Sequence, residues 1–238
     1  MKNVKHVQIM HGVRFYSSQM AFAEFDEYYI WGEYHCEEYR KMHVKAQRFI
    51  ITGSPIHQRI YADSKRSNSH EGKRRLLMCY DPVMQFDNVF SLVREATEIL
   101  AELNCEIRFR PHPRFMEESL GYLKKLQENI PVSIGVDDSL SIPFTESVGE
   151  AEVVLSCYSN TLTDAWIAGK KCIYIPNDRI PAQEYHRSRN IKIFRPGEDM
   201  SDFVLSPIVD DEDEWILKNR YSCNFDLAAV SKPTEADC

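Results

Sequence analysis

The chain predicts an α/β protein: a parallel sheet with helices on both faces. Three observations carry that prediction. Short apolar runs rich in β-formers alternate with segments of helical period, an order that builds parallel strands joined by right-handed crossovers. Some of these runs, such as Val153-Val154-Leu155, are apolar throughout, as strands covered on both faces are. Several hand over to a helix through turns of glycine, proline or serine, at the strand ends where open α/β sheets bind their ligands.

Val4 to Met10 reads as a strand closed by His11-Gly12, and Glu27 to Trp31 as a second strand ending at Gly32. Glu33 to Lys45 has helical periodicity, and Arg48 to Thr52 is a strand running into Gly53-Ser54-Pro55. Ser64 to Arg75 is polar, charged and without either period, hence a loop. Leu76 to Tyr80 is the next strand. Val89 to Leu103 is an amphipathic helix, with Val89, Leu92, Val93, Ala96, Ile99, Leu100 and Leu103 at i, i+3 and i+4. Ile107 to Phe109 is a strand that leads through Arg110-Pro111-His112-Pro113-Arg114 into a helix from Met116 to Glu128. Val132 to Ile134 is a short strand, Ile142 to Val148 a helix and Val153 to Leu155 a buried strand. Thr161 to Ala168 is a helix stopped by Gly169, and Cys172 to Ile175 the strand after it. Beyond Ile208 the pattern fades into Asp210-Asp211-Glu212-Asp213-Glu214 and a polar end. Residues 1–208 are therefore expected to form one Rossmann-like domain and residues 209–238 an acidic, polar C-terminal tail.

Composition narrows the function classes. At 238 residues and 43% hydrophobic content the chain can bury a sizeable core. Its 36 acidic residues outnumber 29 basic ones, which removes the electrostatic footprint of a nucleic-acid binder. Seven cysteines, an odd number without a CxxC pair, read as free thiols of a reducing, cytoplasmic compartment. No apolar stretch reaches membrane-spanning length and no signal-peptide core is present, so contact with the inner face of a membrane would be peripheral. His35 and Cys36, adjacent on a helix, point apart and make no metal site. The run at Asp210 lacks the turn glycine and ligand spacing of a calcium loop. A metal-independent site without a resident cofactor is the expectation.

Two strand ends look suited to an anion. In the first, His112 stands between Pro111 and Pro113 with Arg110 and Arg114 outside them. The prolines fix their own φ and bias the residues before them to extended shapes, so the imidazole is presented rather than left to wander. It can donate to a phosphate oxygen, a bond worth about 1.5–3 kcal/mol when charge-assisted. The plain alternative is a rigid loop whose histidine caps a neighbouring carbonyl. In the second, Ser156-Cys157-Tyr158-Ser159-Asn160-Thr161 joins a strand to a helix. Ser159 or Asn160 is a natural N-cap, and the free N–H groups and hydroxyls of that turn suit phosphate. Here the alternative is that the hydroxyls only cap the helix.

His11-Gly12, Gly53-Ser54-Pro55, Arg110-Pro111-His112-Pro113, and the Ser156 to Thr161 turn with Asp164-Ala165, Gly169-Lys170 and Ile173 to Pro176 stand in one order along the chain. In that order they resemble the nucleotide-binding, C-terminal half of GT-B glycosyltransferases that build bacterial surface polysaccharides. CDP-glycerol glycerophosphotransferase-like enzymes and the capsule sialyl and Kdo transferases belong to that group. The match covers most of Val7 to Pro176.

The resemblance implies that His112 binds the donor phosphate and assists departure of the nucleotide, and that His11 acts as base toward an acceptor hydroxyl. It implies donor-phosphate contacts from Ser159 and Thr161; Arg110 and Arg114, as phosphate partners or as surface ion pairs, Ser156, Asn160 and the Gly53-Ser54 turn stand beside them as further candidates, and Glu184 lies where the last sheet loop would reach the ribose. The donor would be a nucleotide-activated sugar or polyol phosphate, CMP- or CDP-linked, and the acceptor a polysaccharide or glycolipid. Set against the two-domain family, the chain lacks a match to the acceptor-binding half, and three expectations stand: a fragment, a naturally shortened enzyme, or one half of a transferase whose acceptor side comes from a partner chain or a second copy. Two other readings stand beside the transferase: a non-catalytic nucleotide-sugar-binding or regulatory subunit, and a nucleotide-sugar epimerase or hydrolase. The latter needs cleft carboxylates, for which Asp137, Asp138 and Glu146 are the suppliers.

Overall fold

Residues 4–10, 24–64, 75–80, 87–94, 105–130, 133–157, 160–176 and 188–209 are described in a computed structural model. Their strands form two parallel sheets, one of three strands and one of six. The chain divides into two compact units with a break after Tyr61. Where the sequence reads as one domain over residues 1–208, the next strand after the break pairs only within the second sheet. Residues 210–238, which hold nearly all of the expected tail, lie outside the described residues.

In the first unit β1 (Val7–Ile9), β2 (Glu24–Ile30) and β3 (Lys45–Ile51) run parallel in that order. Helix α1 (Glu33–Lys41) packs Cys36 and Tyr39 onto Tyr28, Ile30 and Phe49 of one sheet face. The helix stops short of the expected Lys45. His43 takes a positive φ of 59°, a left-handed turn that ends the helix and lets Lys45 open β3. Helix α2 (Pro55–Ser64) was not expected. Its signal is the Ser54-Pro55 pair, a capping residue followed by proline in the first helical position.

The second unit contains β4 (Arg75–Cys79), β5 (Glu106–Arg110), β6 (Ile134–Val136), β7 (Val153–Ser156), β8 (Lys171–Tyr174) and β9 (Ile191–Ile193). Its order is β6-β5-β4-β7-β8-β9, every neighbouring pair parallel. The helices are α3 (residues 87–94), α4 (Met116–Asn129), α5 (Phe144–Glu150), α6 (Asn160–Ile167) and α7 (Ser201–Leu205), with a 3₁₀ turn at Pro113–Phe115. Leu76, Met78, Ile107, Phe109, Val153 and Leu155 meet Val89, Leu92 and Val93 of α3 and Leu123 and Leu126 of α4 on one face. On the other, Arg75 pairs with Glu150 of α5, and the Cys172 Sγ contacts the Leu162 carbonyl of α6. The chain thus builds outward from β4 through β5 to β6, then crosses back over β4 to lay down β7, β8 and β9. No helix among the described residues is long and apolar enough to cross a membrane.

Candidate functional site at the ends of β4, β5 and β7

In a doubly wound sheet the ligand crevice opens where the strand order reverses, outside the C-terminal ends of the strands. Here the reversal lies between β4 and β7, with β5 on the other side of β4. The strand ends are in step: Cys79 aligns with Arg110, and Met78 with Leu155. The Pro111-His112-Pro113 segment and Ser156-Cys157 therefore leave the sheet on either side of one strand.

His112 is tightly held. Its backbone is extended at φ −75° and ψ 125°, as the following proline demands. Its N–H donates to Ser119 Oγ at 3.1 Å, while its Nδ1 accepts from the Arg114 N–H at 3.2 Å. The ring lies 5.1 Å from that of Phe115. Ser119 Oγ in turn donates to the Phe115 carbonyl at 2.6 Å. Close by in sequence, Glu118 accepts from the Tyr80 hydroxyl at 2.8 Å, linking the end of β4 to the first turn of α4.

The flanking arginines differ. Arg110 is buried, and its guanidinium donates to Ser147 Oγ and to the Ile142 carbonyl, each at 2.8 Å, 5.7 Å from the Phe144 ring centre. Burial pulls its pKa below the usual arginine range. The charge that the sequence offered to a phosphate is thus engaged in holding residues 142–147 to the end of β5. Arg114 is exposed and lies over Phe115 at 5.7 Å.

Ser156 is likewise turned inward, fully buried, its hydroxyl donating to the Cys79 carbonyl at 3.2 Å. That bond ties the ends of β4 and β7 together. Asn160 opens α6 and is exposed, and Thr161 is half-buried. Gly53 and Ser54 belong to the first unit. Gly53 takes a φ of 71°, open to glycine without strain, and the buried Ser54 hydroxyl accepts the His57 N–H at 3.3 Å as the cap of α2. His11, Ser159 and Glu184 lie outside the described residues.

Ser119 escaped the sequence reading. Its signal is a serine on the apolar stripe of an amphipathic helix, in line with Leu123 and Leu126; a polar group there must find a partner. In the first unit, Trp31 stands 5.7 Å from the ring of His35 and 4.5 Å from that of His57. Burial, and then the charge of His57, push the His35 pKa down to about 3.

No protein-family profile and no curated protein matches the chain. Among solved structures, UDP-GlcNAc 2-epimerase of Methanocaldococcus jannaschii, in complex with UDP-GlcNAc and UDP, superposes at a TM-score of 0.55 with 16% identity. That superposition covers 82% of this chain and 59% of the epimerase, so the chain spans about three fifths of its length. A putative UDP-N-acetylglucosamine 2-epimerase of Listeria monocytogenes gives 0.56 at 15% identity, over 96% of this chain and 68% of its own. TarM gives 0.53 at 11% identity, over 98% and 50%. Likeness at such identities concerns the fold, and the fold is the α/β, Rossmann-like arrangement of GT-B proteins.

Proposed function

We propose that this chain binds a nucleotide-activated sugar or polyol phosphate at the ends of β5 and β7, as a transferase or the donor-binding half of one. The observation that supports it is the placement of His112 and the start of α6 on either side of β4, where the strand order reverses. Nucleotide departure builds negative charge on phosphate, and preorganised donors lower the barrier to that step most. His112 supplies one donor. The first turn of α6, with Asn160 and Thr161, supplies N–H groups and the positive end of a helix dipole, and exposed Arg114 adds charge from the rim. Arg110 and Ser156 serve this site by fixing its two supporting segments.

A cytidine-linked donor, a surface polysaccharide or glycolipid acceptor, a partner chain or second copy for the acceptor side, and work at the cytoplasmic face of a membrane complete the reading. His11 as base and Glu184 at the ribose belong to it as well. The epimerase or hydrolase reading draws on the two epimerases above. Against it, Asp137 is buried in a bond from Arg108 Nε at 2.7 Å. Asp138 accepts from the Leu140 N–H at 3.0 Å and the Ser141 hydroxyl at 2.9 Å of its own turn.

Thermal unfolding with CMP, CDP, UDP and GDP, repeated on His112→Ala, tests the pocket. A nucleotide at a hundred times its Kd stabilises by about 2.7 kcal/mol, and the shift should fall to about half or less in the variant. Absence of a shift with all four sinks the reading. Free UDP released from UDP-N-acetylhexosamine without an acceptor moves the assignment to the epimerase or hydrolase.

A further inference from the structure

Three contacts on the His112 residue decide more than its place. Its Nδ1 accepts the Arg114 N–H, and an imidazole nitrogen that accepts carries no hydrogen, which leaves the ring hydrogen on Nε2. The His112 N–H is taken by Ser119 Oγ, whose own hydrogen goes to the Phe115 carbonyl. Ser119 therefore faces His112 with a lone pair, and the two bonds in series polarise each other. Ser119 is fully buried, so this bridge is shielded from competing water, and the Phe115 ring lies tilted against the imidazole, 5.1 Å between ring centres.

We infer that this cradle holds His112 as the Nε2–H tautomer, a fixed hydrogen-bond donor to a phosphoryl oxygen, with Ser119 as the residue that positions it. The inference rests on the nucleotide reading only for the rest of the ligand. It changes what His112 does. Adding a proton at Nδ1 breaks the Arg114 bond, so the ring stabilises developing charge by donation and keeps its hydrogen. A phosphate leaving group tolerates this, since its second pKa lies roughly at 6 and departure near neutral pH needs no proton. Ser119 acts through His112 and touches no ligand.

The test is long-range ¹H–¹⁵N correlation on the full chain labelled at histidine, near neutral pH, the His112 signals being those missing from His112→Gln. A protonated Nε2 and a bare Nδ1 are expected. A hydrogen on Nδ1, alone or with one on Nε2, overturns the tautomer. Binding of inorganic phosphate, CDP and UDP to variants gives the second arm. The glutamine amide reaches the position of Nε2 and the asparagine amide that of Nδ1. His112→Gln should keep most of the affinity, whereas His112→Asn and His112→Ala lose about ten- to a hundredfold, the worth of one charge-assisted bond. The reverse order of Gln and Asn overturns the donor assignment.

Ser119→Ala suits a helix interior and should fold. A mixed-tautomer spectrum with weakened binding supports the positioning role, and wild-type spectrum and affinity remove it. A ring perturbed by phosphate but by neither nucleotide upholds the inference and removes the nucleotide reading. A ring indifferent to all three overturns the donor role.

Discussion

Arg110 is an arginine beside a phosphate-suited loop that is committed to the fold. Replacing it with alanine leaves Ser147 and the Ile142 carbonyl without their donor, so Arg110→Ala should lower stability by about 2 kcal/mol, read as a shift of the urea midpoint. A lysine offers one point charge for two diverging acceptors and should recover only part of the loss. His35 carries the clearest pH signature. Its folded pKa of about 3 lies below the unfolded value near 6.5. The unfolded chain therefore takes up a proton that the folded one refuses across that interval. Stability is full above the interval and falls as pH drops through it. Unfolding followed by tryptophan fluorescence should show wild type losing on the order of 2 kcal/mol more than His35→Leu between neutral pH and about pH 4.5. Among residues, His112 was legible because two prolines announce a held side chain, whereas the inward turn of Arg110 and Ser156 was not. Their partners, Ile142 with Ser147 and Cys79, sit far away in sequence and are brought near only by the sheet.

Elements with a clear period were read almost to their ends: α4 (Met116–Asn129) and β7 (Val153–Ser156) differ from expectation by a residue at the C-terminus. Two of the short ones were lost. β9 is three residues with Lys192 at its centre, and α7 has five, without a buried residue of its own, so neither has a period to show. What fixes α7 is remote. Lys171, buried on β8, donates to the carbonyls of Phe203 at 2.7 Å and Val204 at 2.9 Å, and also to that of Ser206. The last carbonyls of a helix lack internal partners, and a lysine there also meets the negative end of the helix dipole. Lys171→Met keeps the stem and removes the donors. Amide exchange in residues 201–206 should then speed up, tenfold for about every 1.4 kcal/mol lost, with smaller change in α4.

At the scale of the whole chain, a nucleotide bound at the switch point should protect amides at residues 110–119 and 156–164. Strand interiors remote from it, such as β9, should not respond. Protection spread evenly over the six-stranded sheet speaks against a site at the strand ends. The alternation of strand and helix made the α/β class legible. It could not reveal the division into two sheets, because β3 and β4 look alike as apolar runs and only pairing tells which sheet each joins.

The return of the chain across β4 also governs how this unit comes into being. Ser156 and Cys79 are 77 residues apart, and β4 acquires its second neighbour only when β7 is made. During synthesis β4, β5 and β6 can pair while the inner edge of β4 stays bare, an apolar strand edge of the kind that captures other chains. Distant parallel pairings close slowly. The rate-limiting event of folding should be the docking of β7, and the interval before it is when the nascent protein is most exposed to aggregation.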